Sequence, residues 1–386
     1  MNPSTAFGIV LADELVRCGL REAVVAPGSR SAPLALALYY RSHAAESARP
    51  GTGRDDLAAR AFSRKRAPRV PAADPAGPIL RLHVRIDERS AAFLALGLAK
   101  ASGRPVLAVC TSGTAAAHFH AAVIEADEAG LPLIVLTADR PPELRGTGAN
   151  QAIDQLKLYG AAVRWFCEAG VPEARAGMAG YWRSLACRAW AHASGAAGGY
   201  PGPVHINMPL REPLVPDPGD AAGPDDSWPE PLDGRPGGAP WTSIAARLAG
   251  PAPAAAASLE IDWTERGVVV CGDGAEDAAG PLLDLAAEAG WPVLAEPSSG
   301  ARHGPNALSA YPYLLDTPGF VAAHRPDVII SAGRPGLSRS QLRFLAAAGP
   351  AGRHIVIAQG PGRWADPARS ATGVARAIRL RRPPGA

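Results

Sequence analysis

The chain has 386 residues, 47% of them hydrophobic, and a formal net charge of +3 from 39 basic and 36 acidic side chains. That length allows two or more domains with buried cores, and the near balance of charge argues against a nucleic-acid or anionic-membrane surface, which leaves small-molecule chemistry. The five cysteines show no CxxC pair or His/Cys ligand spacing, so reduced thiols in a cytoplasm are expected rather than a disulfide framework or a zinc site. Asp13 and Glu14 stand where a signal peptide would be apolar, and no apolar run reaches membrane-spanning length.

In chain order, Ser4 or Thr5 is placed to cap a helix from Thr5 to Cys18, with Ile9, Leu11, Leu15 and Val16 on its apolar face. Glu22 to Ala26 reads as a buried strand emptying into Pro27-Gly28-Ser29-Arg30-Ser31, with a helix starting at Pro33. The amides of that helix start, with Arg30 and the Ser29 hydroxyl, suit a carboxylate or phosphate; an ordinary βα turn with a surface arginine fits the same residues. From Tyr39 to Gly77 the sequence turns to Arg, Ala, Pro, Asp and Gly without a period, as in a solvated or disordered surface insertion.

Ile79 to Glu88 is expected as a strand carrying the Glu88 carboxylate to its end, followed by an Ala/Leu-rich helix and a second apolar strand that ends in Thr111-Ser112-Gly113-Thr114. A helix to Gly130 and a strand from Pro132 to Thr137 then deliver Asp139 and Arg140, and the loop from Glu143 to Gln151 is expected to lead Asn150 and Gln151 into another helix. If these strands are parallel, Ser29, Arg30, Glu88, Thr111 to Thr114, Arg140, Asn150 and Gln151 share one crevice, and its arginines and amides imply an anionic ligand.

Arg175 to Ser194 reads as an amphipathic helix, and Gly202 to Met208 as a strand in which His205 alternates with apolar neighbours, as a structural histidine does. The Pro/Gly-rich stretch after it reads as a linker, so the expected division is 1–214, a linker at 215–240 and a second α/β domain at 241–386. That domain takes strands at Arg266 to Cys271, Pro292 to Ala295, Asp327 to Ser331 and His354 to Ala358, with a helix from Ala278 to Ala289. Gly272-Asp273-Gly274 with distant Asn306 imitates a motif that holds a metal diphosphate. Asn306 sits in a Gly/Pro loop rather than at a strand end, so a plain βα turn is expected.

The segments NPST, VVAPGSRSAPLALAL, HVRIDERSAAFLALGLAKASGRPV, CTSGTAAA, LTADRPPELRGTGANQAIDQ, GPVHINMPLREPL, EPSSGARHGPNAL and GRPGLSR resemble one family of thiamine diphosphate enzymes. It is the 2-succinyl-5-enolpyruvyl-6-hydroxy-3-cyclohexene-1-carboxylate synthases of menaquinone biosynthesis. The resemblance implies two parallel-sheet α/β domains, one binding the cofactor's pyrimidine and one Rossmann-like middle domain. It implies decarboxylating carboligation of 2-oxoglutarate with isochorismate, with thiamine diphosphate and Mg2+ as cofactors, in a cytoplasmic homo-oligomer. Glu88 would hydrogen-bond N1′ of the aminopyrimidine, as the catalytic group, and Pro27 would share the cofactor side. Ser29, Arg30, Arg140, Asn150 and Gln151 would contact substrate, joined by Arg339 of the middle domain, because guanidinium forks suit carboxylates.

The family's order is pyrimidine, middle and diphosphate-binding domain, and the matched segments cover the first two. The diphosphate-binding domain and its metal ligands are therefore expected to be missing from this chain and supplied by a separate polypeptide. Two other readings stand beside this one. The first is a non-catalytic relic or assembly module, and the second is another thiamine-dependent carboligase resembling acetolactate synthase.

Overall fold

A computed structural model describes residues 1–47, 80–216, 228–243, 258–348, 352–358 and 364–381. Of the expected insertion, Tyr39 to Ser47 continues a helix and 48–77 lies outside the described residues, as do 78 and 79, so the expected strand start at Ile79 is not described. The chain forms two compact units, Met1–Ala249 and Gly250–Ala386.

The first unit runs α1 (Pro3–Cys18), β1 (Glu22–Val25), α2 (Ala32–Ser47), β2 (Arg81–Val84), α3 (Glu88–Ser102), β3 (Val106–Cys110), α4 (Thr114–His118), α5 (His120–Ala129), β4 (Leu133–Asp139), β5 (Trp165–Glu168), α6 (Met178–Ser194) and β6 (Pro203–Pro209). Its sheet has the order β2-β1-β3-β4-β6-β5, and every pair is parallel. Strands β3, β4 and β6 are buried along their whole length, which is why they read as unbroken apolar runs instead of alternating ones. The order reverses between β1 and β3, and in such sheets that switch point opens a crevice beyond the strand ends.

Several expected boundaries shift for local reasons. Helix α1 is capped by Asn2, not Ser4 or Thr5: the Asn2 side chain accepts from the Thr5 amide at 2.8 Å, so Pro3 takes the first turn, where its missing N–H costs nothing. Strand β2 stops at Val84, because Asp87 accepts from the Ser90 amide at 2.8 Å and thereby starts α3. Glu88 is thus the first residue of a helix and not the end of a strand. The helix expected after Thr114 is broken at Phe119, whose amide donates back to Ala116 O.

Helix α1 is buried on nearly all sides, including its acids Asp13 and Glu14. Arg183 of α6, fully buried, reaches both: Nη1 lies 3.1 Å from Asp13 Oδ2 and 2.5 Å from Glu14 Oε2. Removing one member of such a buried cluster leaves a charge without its partner, at a cost of roughly 3–5 kcal/mol. Residues 228–243, from the end of the expected linker and the first positions expected in the second domain, pack on the same helices. Glu230 accepts from the Gly177 and Ala179 amides, Leu232 O from Arg183 Nη2, and the Trp241 amide donates to Glu14 Oε1 at 2.5 Å.

The second unit comprises β7 (Ser258–Asp262), β8 (Gly267–Cys271), α7 (Glu276–Ala289), β9 (Val293–Ala295), α8 (Tyr311–Asp316), α9 (Phe320–Ala323), β10 (Val328–Ala332), α10 (Arg339–Ala348), β11 (Arg353–Ile357), β12 (Gly373–Ala375) and β13 (Ala377–Arg381). A parallel sheet of order β12-β11-β10-β8-β9 forms its core, and β13 pairs with β7 separately. Both units are therefore α/β layers built on parallel strands.

Candidate active site

Four strand ends of the first unit converge beside the switch point. After β1, Pro27 and Ser29 are exposed, and a single helical turn from Ser29 to Ser31 brings the Arg30 side chain inward. Gly28 is needed there, since a Cβ would stand 2.6 Å from Thr111 Cβ at the end of β3. Arg30 is 7% exposed; its Nη1 donates to Leu210 O at 2.9 Å, and Nη2 lies 3.4 Å from Glu212 Oε1, both beyond β6. Its buried Nε has no partner among the described residues. Burial, and next to it the charge of Arg140, holds the Arg30 guanidinium below the usual arginine range, so the two cations face one region.

Arg140, at the end of β4, is held from three sides. Its Nη1 donates to Ser112 Oγ at 2.5 Å, its Nη2 to Asn150 Oδ1 at 3.2 Å, and its backbone amide to Asp139 Oδ1 at 2.7 Å. Behind it lies a network that sequence reading did not find. Asn207 of β6 donates to Asp139 Oδ2 at 2.8 Å and accepts from Thr137 Oγ1 at 2.8 Å and from Gln155 Nε2 at 2.9 Å. Gln155 Oε1 in turn accepts from the Gly113 amide at 2.8 Å. Arg145 closes the far side, 2.9 Å from Asp139 Oδ2 and 2.5 Å from Glu168 Oε1. Burial raises the Asp139 carboxyl above the ordinary range, against the lowering effects of Asn207 and Arg145.

No helix starts after Gln151. That residue sits at φ 51° and is exposed, and Gln155 spends its side chain on the strand ends, donating also to Ala138 O. The structure thus joins Arg140 to Asn150 and sets Gly113 against the Gln151 backbone, where a Gly113 Cβ would lie 3.0 Å from Gln151 O. Glu88, half-buried in the first turn of α3, has no hydrogen-bond or ion-pair partner among the described residues. Its charge, after burial, keeps the Cys110 thiol high, which places the carboxylate near the end of β3.

His205 is buried in β6 with Nε2 2.7 Å from Thr137 Oγ1, and burial lowers it to about 3. It supports the network as a neutral side chain. In the second unit Asn306 donates to Ala286 O and Trp291 O, and Asp273 bridges to Arg334, so the Gly272-Asp273-Gly274 turn is closed on its own sheet, as a plain βα turn is. Arg339 opens α10 of that unit and is exposed.

The family model "Thiamine pyrophosphate enzyme, N-terminal TPP binding domain" matches residues 70–158, the span that carries Glu88, Thr111 to Thr114, Arg140, Asn150 and Gln151. Three curated relatives bear the name 2-succinyl-5-enolpyruvyl-6-hydroxy-3-cyclohexene-1-carboxylate synthase. The one from Thermobifida fusca is 53% identical over 98% of this chain, the one from Saccharopolyspora erythraea 45% over 97%, and the one from Kineococcus radiotolerans 42% over 100%. The chain is similar to these synthases along nearly all of its own length. It spans 58%, 58% and 60% of theirs, respectively.

Proposed function

We propose that the chain carries the aminopyrimidine side of a thiamine diphosphate-dependent synthase. The enzyme joins decarboxylated 2-oxoglutarate to isochorismate, giving 2-succinyl-5-enolpyruvyl-6-hydroxy-3-cyclohexene-1-carboxylate for menaquinone biosynthesis. The observation that carries this reading is that Glu88, a carboxylate with no partner among the described residues, and the buried cation Arg140 both lie inside the span similar to the cofactor-binding domain, with a second buried cation, Arg30, at the end of the neighbouring strand β1.

The residues fit the cofactor's pyrimidine. A half-buried carboxyl without a partner among the described residues is free to hold a proton at N1′ of the aminopyrimidine, and Glu88 supplies one in the first turn of α3. Pro27, exposed after β1, offers an apolar surface for the cofactor side. Thiamine diphosphate, when bound, supplies the electron sink for decarboxylation and carbon–carbon bond formation. Arg30, Arg140, Ser29, Asn150 and Gln151 orient the substrate carboxylates and hydroxyls, and the Asn207–Asp139–Gln155 network holds Arg140 in place.

For Mg2+ the described residues of the first unit offer no comparable set. Among the described residues, Glu14, Cys18 and Cys187 are the grouping of ligand type, and two thiols with one carboxylate do not make the oxygen shell that Mg2+ takes. The share of the relatives' length that is covered supports a reading in which catalysis also needs residues aligned to their remainder, in the same or another polypeptide of a cytoplasmic homo-oligomer. No helix among the described residues is long and apolar enough to cross a membrane.

The test fuses the 386 residues to the remainder of the Thermobifida fusca relative and follows 2-oxoglutarate-dependent consumption of isochorismate with thiamine diphosphate and Mg2+. The fusion is expected to turn over and the 386 residues alone are not. Turnover by the 386 residues alone would refute the need for the remainder.

A further inference from the structure

Cys18 and Cys187 stand 169 positions apart in sequence, yet the fold brings their sulfurs to 3.7 Å, with the Cys18 thiol donating to Cys187 Sγ. Cys18 is the last residue of α1 and is half-buried; Cys187 lies in the middle of α6 and is 2% exposed. The Thr242 amide donates to Cys187 Sγ at 3.4 Å, and the Cys187 thiol itself points to Glu14 Oε1 at 3.3 Å. The hydrogen bond from Cys18 and the Thr242 amide pull Cys187 below the ordinary thiol range against its burial, while Cys18, as donor, is pushed up. A thiolate-prone sulfur 3.7 Å from a second sulfur on a less buried residue is an arrangement in which thiol–disulfide exchange can close a bond.

We propose that Cys18 and Cys187 are a reversible disulfide site that ties the end of α1 to α6. The oxidant class is a low-molecular-weight disulfide, RSSR. The sulfur of Cys18, the less buried of the two residues, attacks one sulfur of RSSR; the S–S bond of RSSR breaks, the Cys18 proton goes to the departing RS−, and the mixed disulfide Cys18–S–S–R and RSH result. Cys187 then attacks Cys18 Sγ, the Cys18–SR bond breaks, and the Cys187 proton, which faces Glu14, goes to the departing RS−. Two thiols lose two electrons and two protons; RSSR gains both and leaves as two RSH. The same residues do not make a good cation site, since both Glu14 oxygens are already held, by Arg183 and by the Trp241 amide. Cys110 and Cys271, buried in the sheets, serve as internal controls.

The experiment equilibrates the purified chain with graded ratios of glutathione disulfide to glutathione, quenches in acid, alkylates, and maps peptides without reduction. The expected result is a linked peptide joining Cys18 and Cys187, loss of two of the five alkylatable thiols, and their return with dithiothreitol. In Cys187→Ala, and in Cys187→Ser as the smaller change, the reaction stops with glutathione on Cys18. The inference is overturned if the unmutated chain keeps all five thiols at the most oxidising ratio, or holds glutathione on Cys18 with no linked peptide. Mapping of the unmutated chain decides the matter even if either variant folds poorly.

Discussion

Both units bury a histidine against a hydroxyl on the neighbouring strand. In the first, His205 Nε2 lies 2.7 Å from Thr137 Oγ1; in the second, His354 Nε2 lies 2.8 Å from Ser331 Oγ. Beyond that pair the two units diverge. Thr137 donates a hydrogen bond to Asn207, whose own bonds to Asp139 and Gln155 continue to the amides at the strand ends, under Arg140. His354 instead turns its other nitrogen to Ser370 in a surface loop, and the strand-end turn of that unit is closed by the Asp273–Arg334 pair. A parallel sheet offers polar backbone at its strand ends in either case. A site arises where buried side chains connect those ends and hold charged groups beside them.

If that contrast is right, the largest effect of substitution falls on the connected network. In the fusion with the relative's remainder, Arg140→Met removes the charge but keeps the bulk, and kcat/KM is expected to fall by about 100-fold or more, roughly 2.7 kcal/mol of transition-state stabilisation. Steady-state kinetics at varied 2-oxoglutarate checks this, and a change of less than about threefold would dissolve the distinction between the two units.

The second effect concerns pH. His205, near 3 in the folded chain and ordinary at about 6.5 when unfolded, binds a proton in the unfolded state first. Its contribution is present above pH 6.5 and lost as the pH falls toward 3, at up to about 1.4 kcal/mol per pH unit. His205→Gln is expected to flatten that part of the stability curve, measured by urea unfolding between pH 7 and pH 4; an unchanged slope would place the histidine's proton elsewhere. The smallest effect is expected in the second unit. Asp273→Asn breaks a partly exposed ion pair and should alter stability by less than about 1 kcal/mol in the same unfolding measurement.

The sequence made the strand-end turns visible because each comes after an apolar run with a sharp change to Gly, Ser, Thr or a charge, as in Pro27 to Arg30 and Thr111 to Thr114. It did not show what stands behind them. Gln155 meets Asn207 across 52 positions and Asn207 meets Asp139 across 68, and no local pattern encodes such pairings. One signal was available: His205 and Asn207 at alternate positions of an otherwise apolar strand point to the same side, so two polar groups needed partners there. The segment from Trp228 to Ser243 was opaque for a different reason. Its Pro/Gly composition describes its backbone, whereas its bonds to α1 and α6 depend on Glu230 and on bare amides.

Glu88 remains the residue on which the account depends. The direct measurement compares kcat of the fusion with that of its Glu88→Gln variant under saturating thiamine diphosphate, with circular dichroism confirming equal folding. The account predicts a loss of at least about 100-fold, within the range of a removed general acid–base group. Equal kcat in the two proteins would contradict it.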